Sequence, residues 1–339
     1  MARSDWGIGV AGLGGIAQHH IEGYRRQGLT VVAGAEPDEN RRNATRKRFG
    51  IPHVYATVAE MCERDDVRIV DVAVPHLLDI KRPVFETAAR AGKALFAQKP
   101  LMPTYADAEA LVRIAEDAGT PLMVNQNSVF APGFRIAYDL LRTSRSIGSP
   151  YYCQIENRNW FDLSGHSWFG KSPRWITSDM GVHHYALLHH WFGRAESVFA
   201  LMRRDPTQTG IVGENVSMLA IRYKNGVEAV VINNWAYRGD AVKPHSVEEV
   251  VVQGDGGTLT ATSVSVEVVA KDGSKESHAL TEQWFPDAFG YAMAHFVDAL
   301  DAGKPFWCEG RDNLNVIALI EAAYRSVADR RVVALDEIV

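Results

Sequence analysis

The sequence predicts a two-domain α/β protein: an N-terminal doubly wound parallel sheet, then an α+β domain built on a mostly antiparallel open sheet. Three observations predict it. The chain has 339 residues, more than one hydrophobic core usually supports. Short strand-like segments alternate with amphipathic helical ones from the start to about residue 125. Beyond about Tyr151, strand-like segments follow one another instead.

The first domain is expected over residues 1–125. Residues 6–11 read as a buried strand and 16–26 as a helix. Strand 31–35, helix 39–49, strand 69–74, helix 80–91, strand 94–97, helix 106–118 and strand 122–125 follow. Short apolar strands separated by helices belong to a parallel sheet covered on both faces. The second domain is expected over residues 126–339. Its strands are 151–157, 197–203, 216–223, 227–235 and 247–253, and Lys224-Asn225-Gly226 marks a hairpin turn between the third and fourth. A final amphipathic helix, residues 312–328, fits either domain.

Composition narrows the function classes. Apolar residues make up 46% and charged residues 23%, as in an ordinary globular protein. A formal net charge of −5 argues against a nucleic-acid partner. No apolar run approaches the ~20 residues that span a bilayer, and no charged-then-apolar leader precedes the first strand. Cys62, Cys153 and Cys308 lie far apart, without metal-ligand or redox spacing. The chain is therefore expected to be cytoplasmic, with reduced thiols.

Gly12-Leu13-Gly14-Gly15-Ile16-Ala17 matches the GxGxxA pattern, follows an apolar strand and opens a helix. Gly12 permits the sharp turn, Gly14 lets backbone approach a pyrophosphate, and Ala17 allows close helix–strand packing; the helix N-terminus adds its positive dipole end. Gly12, Gly14, Gly15 and Ile16 are thus candidate dinucleotide-binding residues of a Rossmann domain. The alternative is a glycine-rich turn of another α/β fold. Glu36 ends the second strand, where a carboxylate binds the adenosine ribose and repels the extra phosphate of NADP. One like-charge pair at ~4 Å and an effective dielectric of ~20 is worth about 4 kcal/mol. That favours NAD over NADP, and Arg41 and Arg42 nearby soften the preference. A solvated turn residue is the alternative for Glu36.

Two further stretches carry chemistry. Pro100 biases Lys99 to an extended conformation at the carboxyl end of a strand, where open α/β sheets bind ligands. A lysine there hydrogen-bonds a substrate hydroxyl and stabilises developing alkoxide charge; a surface lysine is the alternative. In Asp179-Met180-Gly181-Val182-His183 the carboxylate and imidazole lie four apart on one helical face, which makes a base tunable near neutral pH. The alternatives are a helix-starting aspartate and a packed histidine.

Together these stretches resemble the glucose–fructose oxidoreductase/inositol dehydrogenase/rhizopine catabolism (Gfo/Idh/MocA) family over most of the chain. The resemblance is carried by the glycine loop, AGKALFAQKP, Asn127, DMGVH, VVVQGDGGTL and DALDAGKPF, in that order. It implies that Lys99, Asp179 and His183 are catalytic. It also implies that Pro75, Gln98, Lys99 and Asn127 lie on the cofactor side. Some positions depart from the family pattern. Gln98-Lys99-Pro100 stands for EKP, and Val74-Pro75-His76…Asp79 for TPN…H. Val129 replaces an arginine, Ala186 a carboxylate, and Arg174-Trp175-Ile176-Thr177 a glycine cluster. Substrate identity is therefore not transferable from the family.

The expected reaction is NAD-dependent hydride transfer at a secondary alcohol carbon of a sugar, cyclitol or sugar acid. Its alternatives are a redox-neutral oxidoisomerase or lyase and a non-catalytic NAD-binding sensor. Trp160, Arg174 and Trp175 are candidate substrate contacts beside Lys99, Asp179 and His183, and Trp168 is a further aromatic candidate. Arg158, His166, Lys171 and Arg174 against the single Asp162 suggest an anionic substrate, with a solvated basic loop as the alternative. His183, His184, His189 and His190 lack metal-ligand spacing, so no metal is expected. A homodimer or homotetramer is expected from the family and from the frequency of symmetric oligomers.

Overall fold

The structure, a computed structural model, describes residues 3–144, 146–160, 170–238 and 247–339. It divides into two compact units: Met1–Phe130 with Trp284–Leu314, and Ala131–Gln283 with Asn315–Val339.

In the first unit the chain runs β1 (Ile8–Ala11), α1 (Gly15–Arg26), β2 (Val31–Ala35), α2 (Glu39–Phe49), β3 (His53–Tyr55), α3 (Val58–Cys62), β4 (Ile69–Val72), α4 (Leu78–Arg90), β5 (Ala94–Gln98), α5 (Tyr105–Asp117) and β6 (Leu122–Asn125). The sheet order is β3-β2-β1-β4-β5-β6, with every pairing parallel. This is the Rossmann order, which reverses beside β1 and opens a crevice at the strands' carboxyl ends. β1, β4, β5 and β6 are buried at every residue, as a sheet with both faces covered requires. Helix starts follow local chemistry. Asp38 caps α2 by accepting from Arg41 N at 2.7 Å, Thr57 and Glu60 form a reciprocal capping box on α3, and Thr104 caps α5.

The second unit begins with α6 (Pro132–Asp139) and β7 (Pro150–Arg158), then α7 (Gly181–Phe192), β8 (Ala195–Arg203), β9 (Val216–Tyr223), β10 (Glu228–Asn234), β11 (Val247–Gly254), β12 (Gly257–Thr262), β13 (Ser265–Ala270) and β14 (Lys275–Ala279). Two-residue β15 (Val333–Ala334) completes a sheet ordered β14-β13-β12-β11-β7-β10-β9-β8-β15. Within this second sheet, only the β7–β10 pairing is parallel among the described strands. Strands β8 and β9 alternate buried and exposed residues, so one face is covered and the other open. Along the covered face runs a polar row, Glu248–Asn157–Asn233–Ser217, paired strand to strand.

Helix α8 (Trp284–Ala302) returns to the first unit, and α9 (Gly310–Asp329) starts there before passing into the second. α8 lies against α1 at a glycine crossing. A Cβ on Gly23 would meet Pro286 O at 2.5 Å and Gly290 N at 2.7 Å, so a larger residue forces the helices apart. No helix of the described residues is long and apolar enough to cross a membrane.

Candidate functional site

The first unit carries the predicted cofactor residues. Gly12 has φ +86°, and a Cβ there would meet Ala73 O at 2.9 Å, so this position demands glycine twice over. Its N–H donates to Ala35 O at 2.9 Å, which ties the loop to the end of β2. Gly14 and Gly15 are different: a Cβ on either would meet nothing within 4 Å. They present bare backbone at the start of α1, whose first turn has no side-chain cap. Ala17 is buried and Ile16 half-buried. Glu36, 3% exposed, accepts from Leu13 N at 3.0 Å and Asp38 N at 3.1 Å, and Arg41 approaches it at 3.4 Å. Arg42 donates to the Glu36 carbonyl at 2.7 Å. The carboxylate is thus built into the glycine loop rather than solvated on a turn.

At the far end of β5, Gln98 and Lys99 are buried, and Pro75 is exposed on the preceding crossover. Gln98 Oε1 accepts from Asn125 Nδ2 at 3.0 Å. Asn125 Nδ2 also lies 3.2 Å from His20 Nε2, and His20 Nδ1 lies 2.8 Å from Asp71 Oδ2. An amide donor on Nε2 leaves Nδ1 as the protonated nitrogen, donating to Asp71. Tyr24 adds a second donor to that carboxylate at 2.8 Å, and burial beside Asp71 pushes its phenol well above the usual range. Asn127 is fully buried; its Oδ1 accepts from Trp284 Nε1 at 2.9 Å, while its Nδ2 has no protein acceptor among the described residues.

Spacing gave no signal for Lys81. It is 0% exposed on α4 and donates to the carbonyls of Gln98, Pro100 and Leu101 at 2.9, 3.1 and 2.8 Å. His76 Nδ1 lies 3.3 Å from the same ammonium. Burial and the charge of Lys99 push Lys81 down to about 7. Burial, with Lys81 and Lys99 adding repulsion, holds His76 well below the usual histidine range, hence neutral.

In the second unit Asp179 does not open the α-helix, as its spacing suggests. It lies in a five-residue π-helical turn, Ile176–Met180, and α7 starts two residues later at Gly181. His183, 4% exposed, sits in the first turn of α7. The turn is held by Glu214. Its carboxylate accepts from Thr177 N at 3.0 Å, Trp175 N at 3.4 Å and Tyr324 Oη at 2.7 Å, and its carbonyl accepts from Ile176 N at 3.2 Å. His184, beside His183, is 3.0 Å from Glu248, which also accepts from Asn157 at 3.2 Å.

Two candidate substrate contacts sit differently from expectation. Trp175 is 1% exposed and packs edge-on to Trp235 at 6.0 Å, with Ile211 alongside. Its bulk fills the unit's core. Arg174 lies 2.7 Å from Glu321 and 4.5 Å above the Tyr324 ring, so its charge is already opposed inside the unit. Trp160 is half-buried at an isolated bridge to Ala236, with Arg238 5.4 Å from its ring. Trp168, His166 and Asp162 lie outside the described residues. Lys171 is exposed, and Arg158 pairs with Glu156 at 3.4 Å. Among the described residues, no group of three or more histidine, cysteine, aspartate or glutamate side chains is placed to hold a metal ion.

Comparison with known proteins matches both halves of the chain. The family described as "Oxidoreductase family, NAD-binding Rossmann fold" matches residues 6–126, and "Oxidoreductase family, C-terminal alpha/beta domain" matches residues 143–335. The chain belongs to the Gfo/Idh/MocA oxidoreductase family. This Gfo/Idh/MocA protein is 30% identical to a D-apiose dehydrogenase of Paraburkholderia graminis, covering 96% of this chain and 88% of the relative. It is 24% identical to a myo-inositol 2-dehydrogenase of Thermotoga maritima, covering 98% and 99%. Among solved structures, an Agrobacterium radiobacter oxidoreductase in complex with NAD+, L-tartaric acid and magnesium superimposes with a TM-score of 0.89 at 25% identity, covering 99% and 100%.

The family member is thus an NAD-dependent oxidoreductase. Its first unit fits that cofactor on three counts: open backbone at Gly14 and Gly15, a buried carboxylate at the end of β2, and the orphaned buried donor Asn127 Nδ2.

Proposed function

We propose that this oxidoreductase oxidises a secondary alcohol carbon of a neutral sugar or cyclitol, with Lys99, Asp179 and His183 as its catalytic residues. The bound NAD supplies the hydride acceptor. Lys99 donates a hydrogen bond to the reacting hydroxyl and stabilises its oxygen as negative charge develops there. His183 takes the hydroxyl proton, and Asp179 sets the orientation and basicity of the imidazole. The single observation that carries this reading is Lys99 itself, a lysine only 9% exposed at the carboxyl end of β5 in a unit built to hold a dinucleotide. A surface lysine would not be buried there. D-apiose and myo-inositol, named for two relatives, are a neutral sugar and a neutral cyclitol.

A sugar acid or other hydroxylated carboxylate is the second reading, favoured by the L-tartaric acid in the Agrobacterium structure. A panel of D-apiose, myo-inositol and L-tartrate with NAD, read by NADH absorbance, tests both. NADH formation with a neutral member supports the first reading, and with tartrate alone the second. Thermal stabilisation by a panel member without NADH accumulation replaces both, with a redox-neutral reaction where the ligand is converted to product and with an NAD-binding sensor where it is recovered unchanged.

For assembly, the open face of the second unit's sheet exposes Phe199, Leu201 and Met218, with Leu201 and Met218 paired across β8 and β9. Clustered apolar side chains on an open sheet favour a partner of the same kind, so we infer that a second copy of the chain covers them. Light scattering after chromatography checks this: Leu201→Glu should lower the mass to the monomer's.

A further inference from the structure

Lys81 poses a question that packing does not answer. Burying an ammonium is costly unless every N–H finds an acceptor, and an apolar side chain would fill the same space without that demand. Here the three N–H groups meet the carbonyls of Gln98, Pro100 and Leu101, all at 2.8–3.1 Å. Those acceptors bracket Lys99 on both sides. Beyond Gln98 the chain has left β5, so strand pairing no longer fixes it. A further restraint on this segment is on the Gln98 side chain, held by Asn125 at 3.0 Å.

We propose that Lys81 is the positioning residue for Lys99: its ammonium gathers the carbonyls before and after Lys99 and so sets the backbone from which the catalytic side chain extends. The inference rests on the assignment of Lys99 made above. Lys81 holds no substrate atom and acts through the loop alone. It differs from a general stabilising contact because its effect passes through one residue.

The test uses the full chain with Lys81→Met, Lys81→Arg, Lys99→Met and the Lys81→Met/Lys99→Met double variant. Turnover is measured with NAD and the best substrate of the D-apiose, myo-inositol and L-tartrate panel. Lys81→Met should lower kcat about tenfold or more while NAD affinity stays within about threefold, and Lys81→Arg should recover part of the loss. In the Lys99→Met background, Lys81→Met should cost nothing further, since residues that act as a unit are not additive. Hydrogen exchange without substrate gives an independent readout: the amides of Gln98, Lys99, Leu101 and Met102 should exchange faster in Lys81→Met, and those of the glycine loop should not. If Lys81→Met shows no cooperative melt, Lys81→Gln, which retains two donors, takes its place throughout. Parental kcat in the Lys81 variant beside an impaired Lys99→Met overturns this inference and leaves the Lys99 assignment standing. Additive losses in the double variant overturn it too. Parental kcat in Lys99→Met overturns the assignment itself.

Discussion

The carboxylate of Glu36 accepts a hydrogen bond from the backbone N–H of Leu13, 3.0 Å away and 23 residues earlier in the chain. One side chain therefore holds the glycine loop and places negative charge beside it. Glu36→Gln separates the two roles, since the amide oxygen keeps an acceptor and the charge is lost. A like-charge contact of about 4 kcal/mol, roughly halved by Arg41, still corresponds to more than tenfold in NAD over NADP. Glu36→Gln should narrow the gap by about that factor at little cost to NAD binding, whereas Glu36→Ser should narrow it and weaken NAD as well. Dissociation constants for both cofactors check this. Tighter NADP than NAD binding by the parent protein overturns it.

Lys99→Met and His183→Ala should each lower turnover by about a hundredfold or more, the lower end for positioned acid–base groups. NAD affinity should stay near the parent's, because neither residue belongs to the glycine loop. Steady-state kinetics and a cofactor titration on the same samples separate the effects. Near-normal turnover in either variant removes that residue from the mechanism.

The glycine loop, Glu36 and Lys99 are legible in the sequence because their signals are local: a turn that only glycine makes, a strand end, and a proline that keeps its neighbour extended. The parallel first sheet and the mostly antiparallel second sheet are legible for the same reason, as strand period and turn residues repeat along the chain. β3 is not, since three residues cannot display an alternation. α8 is buried on most of its surface, so no polar stripe marks it as a helix. Lys81 and Glu214 are hidden for a different reason. Each acts on backbone far away in sequence, Lys81 on carbonyls 17–20 residues on and Glu214 on N–H groups 37–39 residues back. Side-chain identity does not encode those acceptors and donors. The Asp179–His183 spacing presumes α-helical rise, and the π-helical turn that intervenes has no sequence rule as simple as a cap.

Arg174 tests the charge of the substrate. Its guanidinium is 2.7 Å from Glu321 and stacked on Tyr324. An arginine so paired offers little net charge to a substrate carboxylate. Arg174→Ala should therefore cost about 1 kcal/mol of stability or less and leave the ratio of acid to neutral-substrate activity unchanged. The D-apiose to L-tartrate ratio of kcat/KM in parent and variant measures it. Selective loss of tartrate activity would restore Arg174 as an anion-binding residue.

Glu214 should control how well Asp179 is held. Three donors converge on its carboxylate: Thr177 N–H, Trp175 N–H and the Tyr324 hydroxyl, the shortest contact at 2.7 Å. The first two belong to the start of the π-helical turn that carries Asp179. Glu214→Ala strands all three donors in a site only 9% exposed. One stranded buried donor costs about 1–3 kcal/mol, so a stability loss on the order of 3 kcal/mol is expected. Glu214→Gln keeps one acceptor oxygen and should lose about half as much. Turnover should fall in the same order, Ala below Gln below parent, because the turn loosens where Asp179 must orient an imidazole. NAD affinity should not follow, since the glycine loop belongs to the other unit. Tyr324→Phe removes one donor without stranding a backbone group, so it should affect stability least and turnover little. Thermal melts, kcat and cofactor titration across the three variants decide it. A Glu214→Ala protein that melts early yet keeps parental kcat at low temperature would show that Glu214 supports the fold and not Asp179.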